Sequence, residues 1–344
     1  AAAGRRLHGR RGQNAGMTRA DPSAPIRTPL TGLLGIDHPV LLAPMDDTAG
    51  GRLAAAVSNA GGFGLLGGGY ADPDWLRREL DEAGDARVGV GFIAFALAER
   101  PEALDVALAA GVPAIQLSFG DPRPFAGAIH DAGALLICQA QREEDVAAAL
   151  EAGADVLVAQ GRDAGGHGRP DRGTMGLVPS MVDRVGSIPV AAAGGIVDGR
   201  GLAAALALGA SGVSIGTRFL ASAEARSSPA EAAELLAGRA EDTVRTPVID
   251  LVRGPAWPEG CDGRVVRNDL VDTWQDRTDE IAERREELRA AYDASAPDDY
   301  STRALWAGEG LDLIDGIEPA GRMVETIVAD AVRRIEATAD LLRS

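Results

Sequence analysis

The sequence predicts an α/β fold: a (β/α)8 TIM barrel with a smaller, mostly helical accessory or lid segment inserted before the last barrel helix. Between about residues 40 and 219, short apolar runs alternate with alanine-rich stretches of helical spacing, which is the pattern of repeated βα units in a parallel sheet. Three connections, Ala110–Pro113, Ala152–Asp155 and Leu208–Ser211, have glycine as their second residue and return a helix to a strand. Eight such units favour a closed barrel over an open doubly wound sheet, with the functional site at the carboxyl ends of the strands.

Each strand is predicted from a short run rich in aliphatic residues, and each helix from an alanine-rich stretch of helical spacing. The candidate strands are Val40–Met45, Phe63–Gly68, Val88–Ala94, Ala114–Phe119, Ala134–Gln139, Val156–Gln160, Val190–Ala193 and Gly212–Ile215. The candidate helices between them are Gly51–Ala60, Asp74–Ala83, Pro101–Ala110, Arg123–Asp131, Arg142–Ala152, Val178–Val185 and Gly199–Leu208. Every chemical motif described below follows one of these strands.

The pattern changes after Phe219, and the chain divides into four predicted regions. Residues 1–25 are expected to be a disordered leader, 26–225 the barrel, 226–310 the accessory segment and 311–344 the closing barrel helix. The accessory segment has charged helical runs at Pro229–Ala237 and near Asp276–Ala291, on either side of a stretch that contains Pro, Trp and Gly from Arg253 to Gly263. The closing helix is predicted from one apolar stripe of core-like spacing, made of Val324, Ile327, Val328, Ala331, Ile335 and Leu342.

Composition excludes several classes of function. A formal net charge of −17 argues against a general nucleic-acid or anionic-membrane surface, because both need a basic footprint. An anionic small molecule would instead need local arginines, since the chain contains no lysine. The two cysteines, Cys138 and Cys261, form neither a disulfide framework nor the clustered spacing of a zinc site, so no metal is expected.

The two unclustered cysteines fit a reducing cytosol, so a cytoplasmic protein is expected, and no stretch of the sequence resembles a signal peptide or a membrane span. Residues 1–25 contain five arginines and no apolar run, unlike a secretory signal peptide, and Met17 is a candidate for the natural start. The longest uncharged window, Gly201–Thr217, is interrupted by glycine and serine and is shorter than the roughly 20 apolar residues that a membrane span needs.

Two glycine-containing turns follow the seventh and eighth candidate strands. They are Gly194-Gly195 and Gly216-Thr217. In α/β barrels the loops at these two positions commonly bind phosphate through backbone N–H groups. The alternative is that the glycines only form tight βα turns. At the end of the first strand, Ala43-Pro44-Met45 presents carbonyls and small side chains to a planar ligand, although a proline that simply ends the strand is an equal alternative.

A single histidine lies in the glycine-rich loop Gln160–Gly168, directly after the sixth candidate strand. Imidazole exchanges a proton near neutral pH, and the glycines allow the backbone to approach a ligand closely. His167 is therefore the candidate catalytic residue. A purely structural histidine is the alternative, and the other histidines, His8, His38 and His130, are interpreted as structural or solvated.

Five segments, in order, resemble the nitronate monooxygenase family, formerly called 2-nitropropane dioxygenases. They are Ala43-Pro44-Met45, Ala56–Gly64, Asp163–His167, Ala192–Arg200 and Ile215–Leu220. The resemblance runs from about residue 35 to 225 and weakens across 226–300. It implies that the 26–225 barrel binds FMN and that a small-molecule nitronate or nitroalkane reacts there with O2.

The resemblance also implies residue roles. The phosphate-binding glycines of the family correspond to Gly194, Gly195, Gly216 and Thr217, the strand that lies against the flavin to Ala43, Pro44 and Met45, and the catalytic histidine to His167. Gly165 and Gly166 are expected to pass close to the flavin, and Gln139 and Gln160 to hydrogen-bond its polar edge. Arg162, Arg169, Arg172 and Arg218 are the expected local counter-charges.

The implied reaction is oxidative denitrification. An alkyl nitronate gives an electron to the flavin, and reaction with O2 yields a carbonyl compound and nitrite. His167 is expected to act as a base toward a neutral nitroalkane and, once protonated, as an electrostatic partner for the anionic nitronate.

Other functions remain open from the sequence. NAD(P)H-dependent flavin reductases, either enoyl-acyl carrier protein reductases or quinone reductases, share the same motifs. A flavin-binding regulatory barrel and a flavin-free phosphate-binding barrel are further alternatives. The oligomeric state is also open, with a homodimer through the accessory helices as one arrangement.

Overall fold

The computed structural model describes residues 25–255 and 257–342. Eight parallel strands form the barrel, and the predicted TIM barrel is confirmed. The barrel strands are β1 (Val40–Leu42), β2 (Leu65–Gly69), β3 (Gly89–Ile93), β4 (Ala114–Ser118), β5 (Leu135–Ala140), β6 (Val156–Gln160), β8 (Val190–Ala193) and β9 (Gly212–Ile215). Apart from Pro25, the predicted 1–25 leader lies outside the described residues.

The sheet closes on itself between its first and second strands. The strand order is β1-β9-β8-β6-β5-β4-β3-β2. A parallel bridge between Leu41 and Phe63 joins the two ends, with hydrogen bonds from Leu42 N to Phe63 O and from Phe63 N to Val40 O, both 2.9 Å. Closure leaves no exposed sheet edge and collects all strand carboxyl ends around one opening.

Helices precede and follow these strands, and all of them except α1 and the short α10 alternate with the strands as barrel helices. They are α1 (Pro29–Leu34), α2 (Gly51–Asn59), α3 (Pro73–Ala83), α4 (Ala94–Glu99), α5 (Glu102–Ala109), α6 (Arg123–Asp131), α7 (Glu143–Glu151), α8 (Thr174–Val185), α9 (Gly199–Ala207), α10 (Thr217–Leu220) and α16 (Ala320–Asp340). The sequence did not predict α1, α4 or α10. No helix among the described residues is long and apolar enough to cross a lipid bilayer.

The interior of the barrel is plugged at its amino end. Helix α1 is capped by Thr28, whose hydroxyl accepts a hydrogen bond from Thr31 N. The helix places Leu30 and Leu34 in the inner apolar cluster, where neither is exposed. Burial of two leucines contributes roughly 1.5–3 kcal/mol each. Because this plug closes the amino end, only the carboxyl end is left open for a ligand.

The accessory segment lies between α10 and α16. Its elements are α11 (Pro229–Ala237), β10 (Thr243–Thr246), α12 (Val248–Arg253), β11 (Asp262–Val266), α13 (Asp269–Trp274), α14 (Thr278–Glu283) and α15 (Arg285–Ala294). The mostly helical character and the position before the last barrel helix are as predicted. The helical run predicted near Asp276–Ala291 is two helices, because Arg284 leaves the helical conformation between α14 and α15 (φ −111°, ψ 12°).

A small antiparallel sheet joins the accessory segment to the barrel, and the sequence did not predict it. Its order is β10-β11-β7, where β7 (Gly166–Gly168) lies in the loop after β6. Gly263 pairs with His167, and Arg264 with Gly166. Glycine has little preference for strands, so this strand exists because of its partner and not because of local propensity.

The closing helix α16 packs against α9 and α2. The predicted stripe is buried at Val324, Ile327, Val328 and Ala331. At its carboxyl end the prediction was wrong: Ile335 is 43% exposed and Leu342 is 91% exposed. The buried stripe of α16 ends at Ala331, and the apolar residues that continue the period beyond it, Ile335 and Leu342, are exposed.

Two helical glycines give a matched test of the α9–α16 contact. A Cβ at Gly199 would lie 2.3 Å from Ala331 N and 2.6 Å from Ile327 O, whereas a Cβ at Gly176 would meet nothing within 4 Å. We expect Gly199→Ala to lower the free energy of unfolding by about 1–3 kcal/mol through overpacking. Gly176→Ala should raise the free energy of unfolding by up to about 1 kcal/mol, because alanine reduces the conformational entropy of the unfolded chain. Urea denaturation of both variants checks this, and equal effects would contradict the packing argument.

Candidate active site

A cavity of about 510 Å³ opens at the carboxyl ends of the barrel strands. This volume lies within the roughly 300–1,000 Å³ range of small-molecule sites. All twelve sequence-predicted site residues line it: Ala43, Pro44, Met45, Gln139, Gln160, Gly165, Gly166, His167, Gly194, Gly195, Gly216 and Thr217. Residues that are up to 174 positions apart in the sequence are thus brought together by barrel closure.

The turn after β8 presents unpaired backbone donors to the cavity. Gly194 and Gly195 both have positive φ, 109° and 69°, which other residues adopt at a cost. Among the described residues, the N–H groups of Gly194, Gly195 and Gly216 donate to no protein acceptor. The Thr174 hydroxyl holds the turn from behind through the carbonyls of Ala193 and Gly194, at 3.2 and 3.0 Å. Unpaired N–H groups of residues that line one cavity can serve as the donors of an anion-binding concavity.

Pro44 and two glutamines, Gln116 and Gln139, form a partly polar section of the cavity wall. Pro44 packs so closely on β3 that a Cβ at Gly91 would lie 2.4 Å from the proline ring. The side-chain oxygen of Gln116 is buried and has no hydrogen-bond partner within the described part of the chain. A buried amide oxygen without a donor is costly, so its presence in the cavity wall fits a ligand that supplies an N–H. Gln139 adds a second amide to this wall.

His167 is held by a carboxylate and two indole rings. Its Nε2 lies 2.8 Å from Oδ2 of Asp250 in α12, and the two side chains are only 11% and 9% exposed. The ring stacks on Trp257, with centroids 3.4 Å apart and planes 5° from parallel, and Trp306 lies 4.8 Å away. When Asp250 is ionised it fixes the proton on Nε2, so Nδ1 is the nitrogen that can accept a further proton.

Gln160 supports the histidine instead of only facing a ligand. Its Nε2 donates to the His167 carbonyl at 2.8 Å, and its own carbonyl accepts a 3.4 Å hydrogen bond from Gln141. The Gln160 amide nitrogen is therefore engaged within the protein. Only its side-chain oxygen remains for the ligand contact expected from the sequence.

The cationic side chains of the cavity differ from those expected. Arg162, Arg169, Arg172 and Arg218 do not line the cavity. Arg218 is buried, where it pairs with Glu318 at 2.6 Å and donates to the Gly316 carbonyl. Arg253 and Arg303, both outside the resembling segments, line the cavity in their place. The expectation was wrong because proximity in sequence to a loop does not fix the direction of a long side chain.

Asp46 is a second titratable group in the cavity wall. It lines the cavity and is surrounded by protein atoms. This burial and the negative charge of Asp47 raise its pKa to about 6, although the positive charge of Arg253 partly opposes the shift. Its backbone packs on β2 so closely that a Cβ at Gly67 would lie 1.9 Å from the Asp46 carbonyl oxygen. Its φ of 46° is tolerated best by Asp and Asn among residues that have a side chain.

Sequence reasoning missed the partners of His167. Trp257 lies in the Arg253–Gly263 stretch, for which the Pro, Trp and Gly content predicted no contact with the histidine loop. Its ring also makes edge contacts with Phe95 and Phe119, at 5.2 and 5.0 Å. No local motif marks Asp250, because it lies in a short apolar helix. Its role depends on a contact with His167, which is 83 residues away in the sequence.

Comparisons with known proteins extend the likeness across the accessory segment. The family model described as nitronate monooxygenase matches residues 27–88 and 93–330. A probable nitronate monooxygenase of Staphylococcus saprophyticus is 32% identical over 358 aligned residues, covering 89% of this chain and 98% of that protein. FabK from Thermotoga maritima has a TM-score of 0.82 at 32% identity, covering 92% and 99% of the two chains. Nitroalkane oxidase from Streptomyces ansochromogenes has a TM-score of 0.75 at 28% identity, covering 90% and 100%.

The raised pKa of Asp46 gives a pH-dependent prediction. The folded protein holds a proton on Asp46 at pH values between 3.8 and about 6, where the unfolded chain does not. This contribution to stability is fully present below about pH 4 and is lost as the pH rises through about 6. We expect Asp46→Asn to raise the free energy of unfolding at pH 7.5 by on the order of 1 kcal/mol, after allowance for screening by water in the cavity, and by less at pH 4.5.

Urea denaturation at the two pH values measures this difference. Asp85→Asn, at an exposed position near the amino end of β3, is the control for removal of one negative charge. A gain for Asp46→Asn that is the same at pH 4.5 and 7.5 would show that its carboxyl is not held protonated.

Proposed function

The chain belongs to the nitronate monooxygenase family, and from this membership and the geometry of the cavity we propose that it oxidises alkyl nitronates with O2, using FMN, to a carbonyl compound and nitrite. The observation that carries the proposal is the position of His167. The histidine is paired with a carboxylate and faces the same cavity as the unpaired N–H groups of Gly194, Gly195 and Gly216. A proton-exchanging group and an anion cradle thus line one cavity.

The residues present fit FMN. The unpaired N–H groups after β8 and β9 suit its phosphate, and the Pro44 wall suits a planar ring. The buried oxygen of Gln116 would accept a hydrogen bond from a ring N–H, with Gln139 and the free oxygen of Gln160 along the same polar edge. When bound, FMN supplies the electron-accepting and O2-reducing chemistry that amino-acid side chains lack.

His167 would move the proton. With Nε2 hydrogen-bonded to Asp250, Nδ1 takes a proton from the carbon next to the nitro group of a neutral substrate. Asp250 then stabilises the imidazolium that forms, and the imidazolium attracts the anionic nitronate. Trp257 and Trp306 exclude water from the ring, which strengthens both interactions.

Two arginines help to accommodate the negative charge of the ligands. Arg253 and Arg303 line the cavity of a chain that is otherwise strongly acidic. Arg303 is oriented by its stacking on Tyr292, 4.5 Å from the ring centroid, and by a 2.7 Å hydrogen bond to the Ser295 carbonyl. Such charges attract an anion to the cavity mouth before it reaches His167.

An NAD(P)H-dependent flavin reductase, acting on an enoyl-acyl carrier protein or a quinone, is the second candidate. The observation that favours it is the aromatic and cationic lining on the accessory side, made of Tyr292, Tyr300, Trp306 and Arg303. Flat rings and an arginine beside a flavin pocket suit a nicotinamide ring and its phosphates equally well. The structural similarity to FabK also supports the reductase as the second candidate.

Replacement of His167 tests the base. We expect His167→Asn to lower kcat/KM for a neutral nitroalkane by about 10²- to 10⁴-fold, because proton abstraction is lost. The loss should be much smaller for the pre-formed nitronate, which needs no base. Oxygen consumption with both forms of one nitroalkane measures the two losses, and His130→Asn, at a distant exposed histidine, is the control. Equal losses with both forms would refute the role of His167 as base.

Anaerobic mixing with NADH or NADPH separates the two candidate functions. The nitronate oxidase should keep its oxidised-flavin absorbance near that of the unmixed protein, whereas a reductase should be bleached. Bleaching together with no oxygen uptake on nitronates would overturn the proposal in favour of the reductase. A protein that stays colourless after incubation with FMN would exclude both.

A further inference from the structure

The loop that carries His167 is wrapped around one guanidinium. Arg245, at the centre of β10, donates from one terminal nitrogen to the carbonyls of Gly168 at 2.9 Å and Gly166 at 3.4 Å. The same nitrogen also donates to the carbonyl of Asp262 in β11. The other terminal nitrogen donates to the carbonyls of Arg162 and Ala164, both at 3.1 Å.

The acceptors follow a regular pattern in the chain. They are the carbonyls of alternate residues, 162, 164, 166 and 168, so one side of the loop faces the cation along its whole length. Carbonyl dipoles that converge in this way repel one another unless a positive charge lies between them. His167 sits between the last two of these carbonyls, and its own carbonyl is held from the opposite side by Gln160.

Only an arginine matches this set of acceptors. Its guanidinium is planar and has donors on two terminal nitrogens in a fixed fork, whereas a lysine has one compact ammonium. Burial, with a further contribution from the nearby charge of Arg264, lowers the pKa of Arg245 to about 10, so it stays charged at neutral pH. Arg264 pairs with Glu309 at 2.7 Å, which offsets the repulsion between the two neighbouring guanidinium groups.

The glycines of the loop are needed for the same conformation. Gly166 has a φ of 68°. A Cβ at Gly168 would lie 2.8 Å from the Gln141 amide nitrogen, and one at Gly165 would lie 2.6 Å from the Ala307 carbonyl carbon. The loop can therefore approach its neighbours closely. Parts of its path are held by pairing with β11 and by the backbone N–H groups of Gly161, Arg162 and Ala164. The guanidinium adds hydrogen bonds to four carbonyls of the loop.

We propose that Arg245 is a positioning residue for His167, which fixes the imidazole against Asp250 and Trp257 by binding the carbonyls on both sides of it. The effect on turnover rests on the proposed function, because it assumes that His167 is the base. The effect on the position of the ring does not.

The kinetic test compares Arg245→Ala and Arg245→Lys with wild type. A misplaced base should lower kcat with a neutral nitroalkane by about 10- to 100-fold and change turnover of the nitronate far less. The flavin content should change little, because the glycine turns expected to bind the FMN phosphate, Gly194-Gly195 and Gly216-Thr217, lie on other loops. Guanidinium ion added to Arg245→Ala should restore part of the activity, and the lysine variant should fall between the two.

Arg87→Ala is the matched control. Arg87 also donates to a backbone carbonyl, that of Leu34, but at the closed end of the barrel. It should leave the ratio of nitroalkane to nitronate turnover unchanged. A folded, flavin-loaded Arg245→Ala that keeps the wild-type ratio would overturn the proposal, as would an equal fall with both substrates that guanidinium does not rescue.

A second readout does not depend on the reaction. The stacked indole of Trp257 should shift the ring proton resonances of His167 through its ring current, and the chain has only four histidines, so the shifted resonance can be assigned with His167→Asn. We expect Arg245→Ala and Arg245→Lys to lose or reduce this shift and Arg87→Ala to keep it.

The two readouts separate failure of the proposed function from failure of this inference. If wild type consumes no O2 with either substrate form while Arg245→Ala loses the shifted resonance, the proposed function fails and Arg245 still positions the ring. If both Arg245 variants are folded and keep the shifted resonance, the positioning role is wrong whatever the reaction.

Discussion

The pairing of β7 with β11 is the interaction on which the candidate site depends. It joins a three-residue strand of the barrel loop to the accessory segment, with His167 opposite Gly263. The chain from β10 to β11 then supplies Arg245 below the loop, Asp250 beside the ring and Trp257 over its face. Among the described residues, the stretch 243–266 thus provides the side chains that orient the histidine, apart from Trp306 and Gln160. The barrel places His167 in the cavity, and the accessory segment supplies the carboxylate and the indole that fix the orientation of its ring.

This division explains how far the sequence could be interpreted. The eight strands were predictable because each is an apolar run with its own turn signals. The turn after β8 was predictable because the positive φ of Gly194 and Gly195 favours glycine. The twelve candidate residues lie together because barrel topology places all strand ends around one opening. Asp250, Trp257 and Arg245 could not be found in this way. Their roles come from contacts with residues about 80 to 90 positions away, and nothing in their local sequence records them.

The sequence also could not predict which arginines line the cavity. The arginines nearest in sequence to the loops were expected to attract the anion, but long side chains follow tertiary partners, as the pairing of Arg218 with Glu318 shows. The cavity contains Arg253 and Arg303 together with Asp46, Asp47 and Glu231, so its side chains alone do not make it strongly positive. Burial raises the pKa of Asp46 and of Glu231, which moves both toward their neutral forms. Backbone N–H groups must therefore supply much of the attraction for an anion, and protonation of Asp46 as the pH falls through about 6 should strengthen that attraction.

A glycine-rich loop around a histidine first suggests mobility, but the contacts argue for the opposite. Gly165 and Gly168 approach backbone and amide groups more closely than any side chain would allow, and Gly166 adopts a conformation that favours glycine. The entropy that such a loop loses on ordering is large, roughly 1–2 kcal/mol per residue for the backbone alone, and must be offset by specific bonds. A single guanidinium with four of its five carbonyl acceptors in this loop does so without occupying the cavity side of the loop. Glycine content and rigidity are therefore compatible here: the glycines permit the close approach, and the buried arginine makes that approach the stable state.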